Sequence, residues 1–209
     1  MRRAVILLTA LLLMPGIGRA ETEETLPFGL RHHGNFKRMM HTENVAGSVD
    51  LATAISGEHV YGVGALANAA GEITVYDGKA YLSYGKNGIN TVTHEVPENE
   101  QAMLLVSARV EEWREIMVPA DMPDHELYLF VLDQAERDGP STDAPFPFLI
   151  EGLVRDLTWH VIDGPAPESE RHGVHAFIKR LIEKNREASV SLIGFFSAAI
   201  QGTFTHPGE

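Results

Sequence analysis

An Asp77-Gly78 dipeptide lies between Ile73-Thr-Val-Tyr76 and Ala80-Tyr-Leu-Ser-Tyr84, and no other stretch narrows the fold as far. A type I′ turn needs φ > 0 at both central positions, and Asp-Gly between β-branched and aromatic runs meets that need. The spacing predicts a hairpin whose turn fixes the register of both strands. Gly71-Glu72 then stands at the mouth of the first strand. The register pins the carboxylate, and the glycine before it lets backbone or ligand come close. On residue type alone, Glu72 reads as a solvated strand-end carboxylate.

The start of the chain reads as an export signal. Met1-Arg-Arg is charged, Ala4 to Met14 is apolar, and Gly18-Arg-Ala20 is a small-x-small cleavage pattern before Glu21. The apolar core is too short to span a bilayer. Residues 1–20 are therefore expected to be a signal peptide, the compartment periplasmic or secreted, and membrane contact to end at cleavage. Losing Arg2, Arg3 and Arg19 would take the formal charge from −12 to −15. That sign disfavours nucleic acid and anionic membranes as partners. The chain has no cysteine, so stability rests on core burial, and a metal site must draw on His, Asp or Glu.

Along the rest of the chain, Lys37 to Met40 suggests a helical turn, and Gly47-Ser-Val-Asp-Leu51 a capped short helix ending near Gly57. Val60 to Leu66 carries Gly62 and Gly64, which signal a close backbone neighbour. No third glycine opens a helix after them, so a dinucleotide site is set aside. Ile89 to Val96 and Gln101 to Val110 read as strands. Leu127 to Ala135 is either a strand or a short buried helix. Gly139 to Pro145 is loop, dividing an N-terminal mixed-sheet half (21–140) from a β-rich half (141–209). In the second half, Phe148 to Gly152 and Leu157 to Ile162 read as a strand pair, and Ser189 to Phe196 as a buried strand. His172 to Arg186 is the best helix candidate, with Phe177, Leu181 and Ile182 as its apolar stripe and Arg180 facing water. His172 and His175 have an i, i+3 spacing that suits either a metal or a solvated pair.

Three segments in this order resemble the α-acetolactate decarboxylase family. They are Gly62-x-Gly through Gly71-Glu-Ile-Thr-Val-Tyr-Asp-Gly-Lys-Ala-Tyr81, then Phe148-Leu-Ile-Glu-Gly152 with Leu157 to Val161, then Ile193-Gly-Phe195 through Gln201-Gly202 to Pro207-Gly208. The resemblance implies a mixed α/β (α+β) enzyme with few helices and two sheet-based halves flanking a cleft. It implies zinc as cofactor and a 2-hydroxy-3-oxo acid as small-molecule substrate, acetolactate giving acetoin with loss of carbon dioxide. By the same match, Glu72 is the catalytic carboxylate that handles protons.

The family's His-x-His zinc ligands would begin just past Glu209, so they are expected outside this chain. Its strand arginines fall at Leu149 and His160 here. A protonated His160 can still contact an anion, and it is the second candidate catalytic residue. Without the ligands, the same fold is expected to serve as a non-catalytic periplasmic module that binds a small ligand or partner. A homodimer, or self-association through the edge at Val190 to Phe196, is also expected.

Overall fold

The computed structural model describes residues 5–9, 29–86, 88–138, 145–168 and 178–196. Its Asp77-Gly78 turn has φ values of 48° and 75°, the pair of positive angles a type I′ turn requires. The turn joins β5 (Glu72–Tyr76) to β6 (Lys79–Lys86), with Tyr76 opposite Lys79 and Glu72 opposite Ser83. Alternation along β5 then sorts its side chains. Ile73 and Val75 are buried on one face, leaving Glu72, Thr74 and Tyr76 half-buried on the other.

Five further strands complete the first sheet around this hairpin. β2 (Arg31–His33), β3 (Val49–Asp50), β4 (Val60–Leu66), β7 (Ile89–Thr93) and β8 (Gln101–Arg109) give the order β2-β8-β4-β5-β6-β7, with β3 also on β8, for seven strands in all. Every pairing is antiparallel. Helix α2 (Leu51–Ala54) starts where the Asp50 carboxylate accepts the Thr53 N–H at 2.8 Å, an N-cap that satisfies one orphan donor. Leu51 packs on Ile73, Val75, Leu82 and Leu105, which closes the outer face of this sheet.

The second sheet has the order β11-β10-β1-β9, from β1 (Val5–Thr9), β9 (Trp113–Met117), β10 (Phe146–Pro165) and β11 (Ile178–Phe196). Helix α3 (Asp124–Asp138) covers one of its faces, where Val131 and Ala135 meet Phe146 and Ile150. On the other face, Phe195 packs against Tyr61 and Val106 of the first sheet. Helix α1 (Phe36–Thr42) seals one end of the contact between sheets, Met39 lying on Ala65, Met103, Leu104 and Ile162. The architecture is mixed α+β, two sheets and few helices, as the sequence led us to expect.

Two local readings change, and one that the sequence left open is decided. Leu127 to Ala135 is helix, inside α3. The helix expected over His172–Arg186 is strand from Ile178 onward, and residues 172–177, with His172 and His175, lie outside the described residues. The two short strands Phe148–Gly152 and Leu157–Ile162 are one strand, β10, paired along its length with β11. Asp156 sits within β10 at φ 55°. Before it, the even-numbered Phe146 and Ile150 face α3; after it, the even-numbered Ile162 packs with the first sheet. A left-handed residue in mid-strand turns the ribbon in this way, so β10 serves both layers.

Gly71 meets backbone rather than open space. A Cβ built there would collide with the Ser83 carbonyl oxygen on β6. Backbone cannot swing aside as a side-chain tip can, so Gly71→Ala should destabilise the fold by about 2 kcal/mol, within the range for overpacking. Urea denaturation checks this; an unchanged midpoint would mean that β5 and β6 separate there without penalty.

Candidate active site

Glu72 opens β5 between Ala65 of β4 and Ser83 of β6, so its backbone is held on both sides. Its side chain points into the cleft between the sheets, where its Oε1 lies 3.9 Å from Nε2 of His160 on β10. This distance is too long for a direct hydrogen bond. It suits two groups that flank one atom of a bound molecule. The Glu72 carboxyl also accepts the backbone N–H of Ile162, two residues along from His160. Arg180 stands opposite Ile162 in the β10–β11 register and faces the same cavity.

Burial dominates the electrostatics of Glu72. Loss of water pushes its pKa from 4.5 up to about 7; the Ile162 N–H and the Arg180 charge pull the other way without cancelling it. A carboxyl in that range is present in both protonation states at neutral pH. It can therefore give a proton to a substrate and recover one, which suits general acid–base work.

The cavity has a volume of about 760 Å³. Glu72, His160, Arg180, Thr74 and Ser83 supply its polar lining, while Phe36, Met39, Met40 and Met103 line it elsewhere. A separate tie sets the spacing between the sheets. The Tyr76 hydroxyl donates to Glu151 Oε1 at 3.0 Å, and Ser191 Oγ donates to the same oxygen at 3.2 Å. Tyr76 is pushed up to about 12 by burial and by that carboxylate, so it remains a donor at any ordinary pH. The tie joins β5 to β10 and β11, the strands that carry Glu72, His160 and Arg180.

The two residues singled out in the sequence, Glu72 and His160, are thus brought together across the cleft. Leu149, at the other family arginine position, is buried in the core and contributes no charge. Arg180 was missed because its segment reads as a helix. The signal was there: Arg186-Glu-Ala-Ser189 holds no glycine or proline, so nothing separates the supposed helix from the strand after it.

Zinc does not find a complete site among the described residues. No three His, Asp or Glu side chains converge there as a metal-holding group, and Glu72 with His160 offers only two donors. His206 and the residues leading to Glu209 lie outside the described part of the chain.

No family model matches this chain, and no curated protein matches it by sequence. Solved structures do match it. One is the α-acetolactate decarboxylase from Bacillus subtilis strain 168, with a TM-score of 0.61 and 15% identity over 83% of this chain and 70% of that one. Another is a Staphylococcus aureus protein of unknown function similar to α-acetolactate decarboxylase, with a TM-score of 0.59 and 15% identity over 84% of this chain and 72% of that one. Identity at this level speaks for architecture: the chain has the fold seen in α-acetolactate decarboxylase.

Proposed function

We propose that the cleft binds a 2-hydroxy-3-oxo acid and decarboxylates it, acetolactate to acetoin being the type reaction. The observation that carries this is the Glu72–His160 pair on the cavity wall, with the Glu72 carboxyl near neutrality. Arg180 holds the substrate carboxylate before it leaves, since a guanidinium is the natural partner of a planar anion. The bond from C2 to the carboxyl carbon then breaks, carbon dioxide departs, and its electron pair forms the C2–C3 double bond of an enediolate. Protonated Glu72 gives its proton to C2, and the carbonyl re-forms at C3 as acetoin. His160 hydrogen-bonds the hydroxyl or enolate oxygen beside that carbon. Each cycle consumes one proton, which Glu72 regains from solvent through the cavity mouth.

The zinc ion implied by the resemblance remains part of the proposal, with ligands sought outside the described residues; no step above is assigned to it. The test is acetoin release from racemic acetolactate by the purified full chain, with and without added zinc. Acetoin formed above the spontaneous rate is expected. A zinc requirement would place the missing ligands in the segments outside the described residues. No acetoin in either condition would leave the non-catalytic binding module as the reading.

A further inference from the structure

Glu72 and Tyr76 share one face at opposite ends of β5, and each meets β10. The Glu72 carboxyl accepts the backbone N–H of Ile162, and the Tyr76 hydroxyl donates to Oε1 of Glu151 at 3.0 Å. At ordinary strand rise these two footholds are about 13 Å apart on β5 and would be about 36 Å apart on a straight β10. Asp156, left-handed at φ 55°, lies between Glu151 and Ile162 and turns the strand. β5 therefore grips β10 on both sides of its bend. Elsewhere the sheets meet through apolar contacts such as Phe195 on Tyr61 and Val106. Apolar packing has no preferred direction and lets layers slide, whereas a hydrogen bond fixes distance and angle. Ser191, opposite Glu151 on β11, donates to the same oxygen at 3.2 Å, so the Glu151 carboxylate is steered from both sheets. Tyr76, Glu151 and Ser191 all stand outside the cavity lining. A change at any of them reaches a bound molecule through the geometry of the cleft.

We propose that Tyr76 and Glu151 are positioning residues for the cleft: their hydrogen bond holds β10 and β11 in the placement that sets His160 and Arg180 across from Glu72 and keeps water from its carboxyl. Their part in turnover rests on the decarboxylation reading above; their hold on Glu72 rests on the geometry alone. The direct readout is the titration of the Glu72 carboxyl in the full chain, followed by carbon NMR and assigned by the signal that Glu72→Gln removes. The charged groups facing that carboxyl on the cavity wall are His160 and Arg180, and the variants below leave both in place. Tyr76→Phe keeps the ring against Tyr61 and deletes the donor. With the tie cut, water reaches Glu72, and its pKa should fall from about 7 toward 4.5. Glu151→Ala should do the same. Glu151→Gln should preserve the wild-type titration, because both donors use one oxygen and an amide oxygen has two lone pairs to offer them.

A merely structural tie would lower the urea midpoint of Tyr76→Phe and leave the titration of the folded protein where it was. That outcome overturns the proposal, as does a shift in Glu151→Gln as large as in Glu151→Ala. Should Tyr76→Phe fail to fold, the two Glu151 variants decide in the same terms. Acetoin release separates the tie from the reaction. Where the wild-type chain turns over acetolactate, kcat should fall roughly 10- to 100-fold in Tyr76→Phe, the scale of a displacement near 1 Å, and survive in Glu151→Gln. Where the wild-type chain shows no turnover, a lowered Glu72 titration still upholds the tie, and the decarboxylation reading alone is lost. Wild-type turnover with an unmoved titration leaves the reaction standing and removes the tie.

Discussion

Replacing Glu72 with Gln should lower kcat at least 100-fold, the usual loss when a positioned acid or base is removed, and should make the protein more stable above pH 7. The two effects have one origin. Burial raises the carboxyl from 4.5 to about 7, so the folded state holds its proton more tightly than the unfolded state. A raised carboxyl contributes stability that is complete below about pH 4.5 and is lost as pH rises through about 7. Some 2.5 units at 1.36 kcal/mol each bounds that loss at about 3 kcal/mol. Glutamine carries no titrating proton and keeps nearly the same shape. Urea denaturation of the wild-type protein should therefore show stability falling from pH 5 to pH 8, and the variant should lack that component of the slope. On the kinetic side, a proton donor must be protonated, so wild-type kcat should decline as pH passes about 7. Unchanged turnover in the variant, together with an unchanged stability slope, would make Glu72 a surface carboxylate of no consequence.

What could be read in the sequence was what depends on neighbours in the chain. Asp77-Gly78 dictates its turn through φ alone, and the turn dictates where Glu72 stands. Asp50 announces its short helix in the same way. The errors came where distant contacts override local pattern. Ile178 to Arg186 has apolar residues that satisfy a helical stripe, yet the run pairs along β10 from Arg180 to Phe196, with Arg186 alone skipped opposite Asp156. Pairing on that scale outweighs a propensity difference of a few tenths of a kcal/mol per residue. Gly152 and Asp156 look like a break between two strands. In the structure, Asp156 takes a positive φ inside one strand and turns it. That turn sets the face His160 shows to Glu72, and no short window of sequence contains both residues. Arg180 was hidden for the same reason, since a helix would have pointed it at water.

Removing residues 1–20 should produce the largest change in stability. The sequence marks them as a leader, while the fold gives Val5–Thr9 a place inside the second sheet. Val5 to Leu8 pair with Phe148 to Glu151 on one side, and Val5 to Thr9 pair with Trp113 to Met117 on the other. An inner strand has both backbone edges satisfied, so its loss bares the edges of β9 and β10 together. At about 1 kcal/mol net for each backbone hydrogen bond, the deficit reaches several kcal/mol. Freed edges also invite pairing between chains. The 21–209 chain should therefore unfold at a clearly lower urea midpoint than the 1–209 chain and elute as oligomers in light scattering. Export requires the opposite, because a protein that sheds its leader must fold without it. Equal midpoints and a monomeric 21–209 chain would show that β9 and β10 close on each other, making the leader dispensable to the fold. A destabilised 21–209 chain would mean that the first residues stay with the protein, and that the apolar run read as an export signal works as a strand.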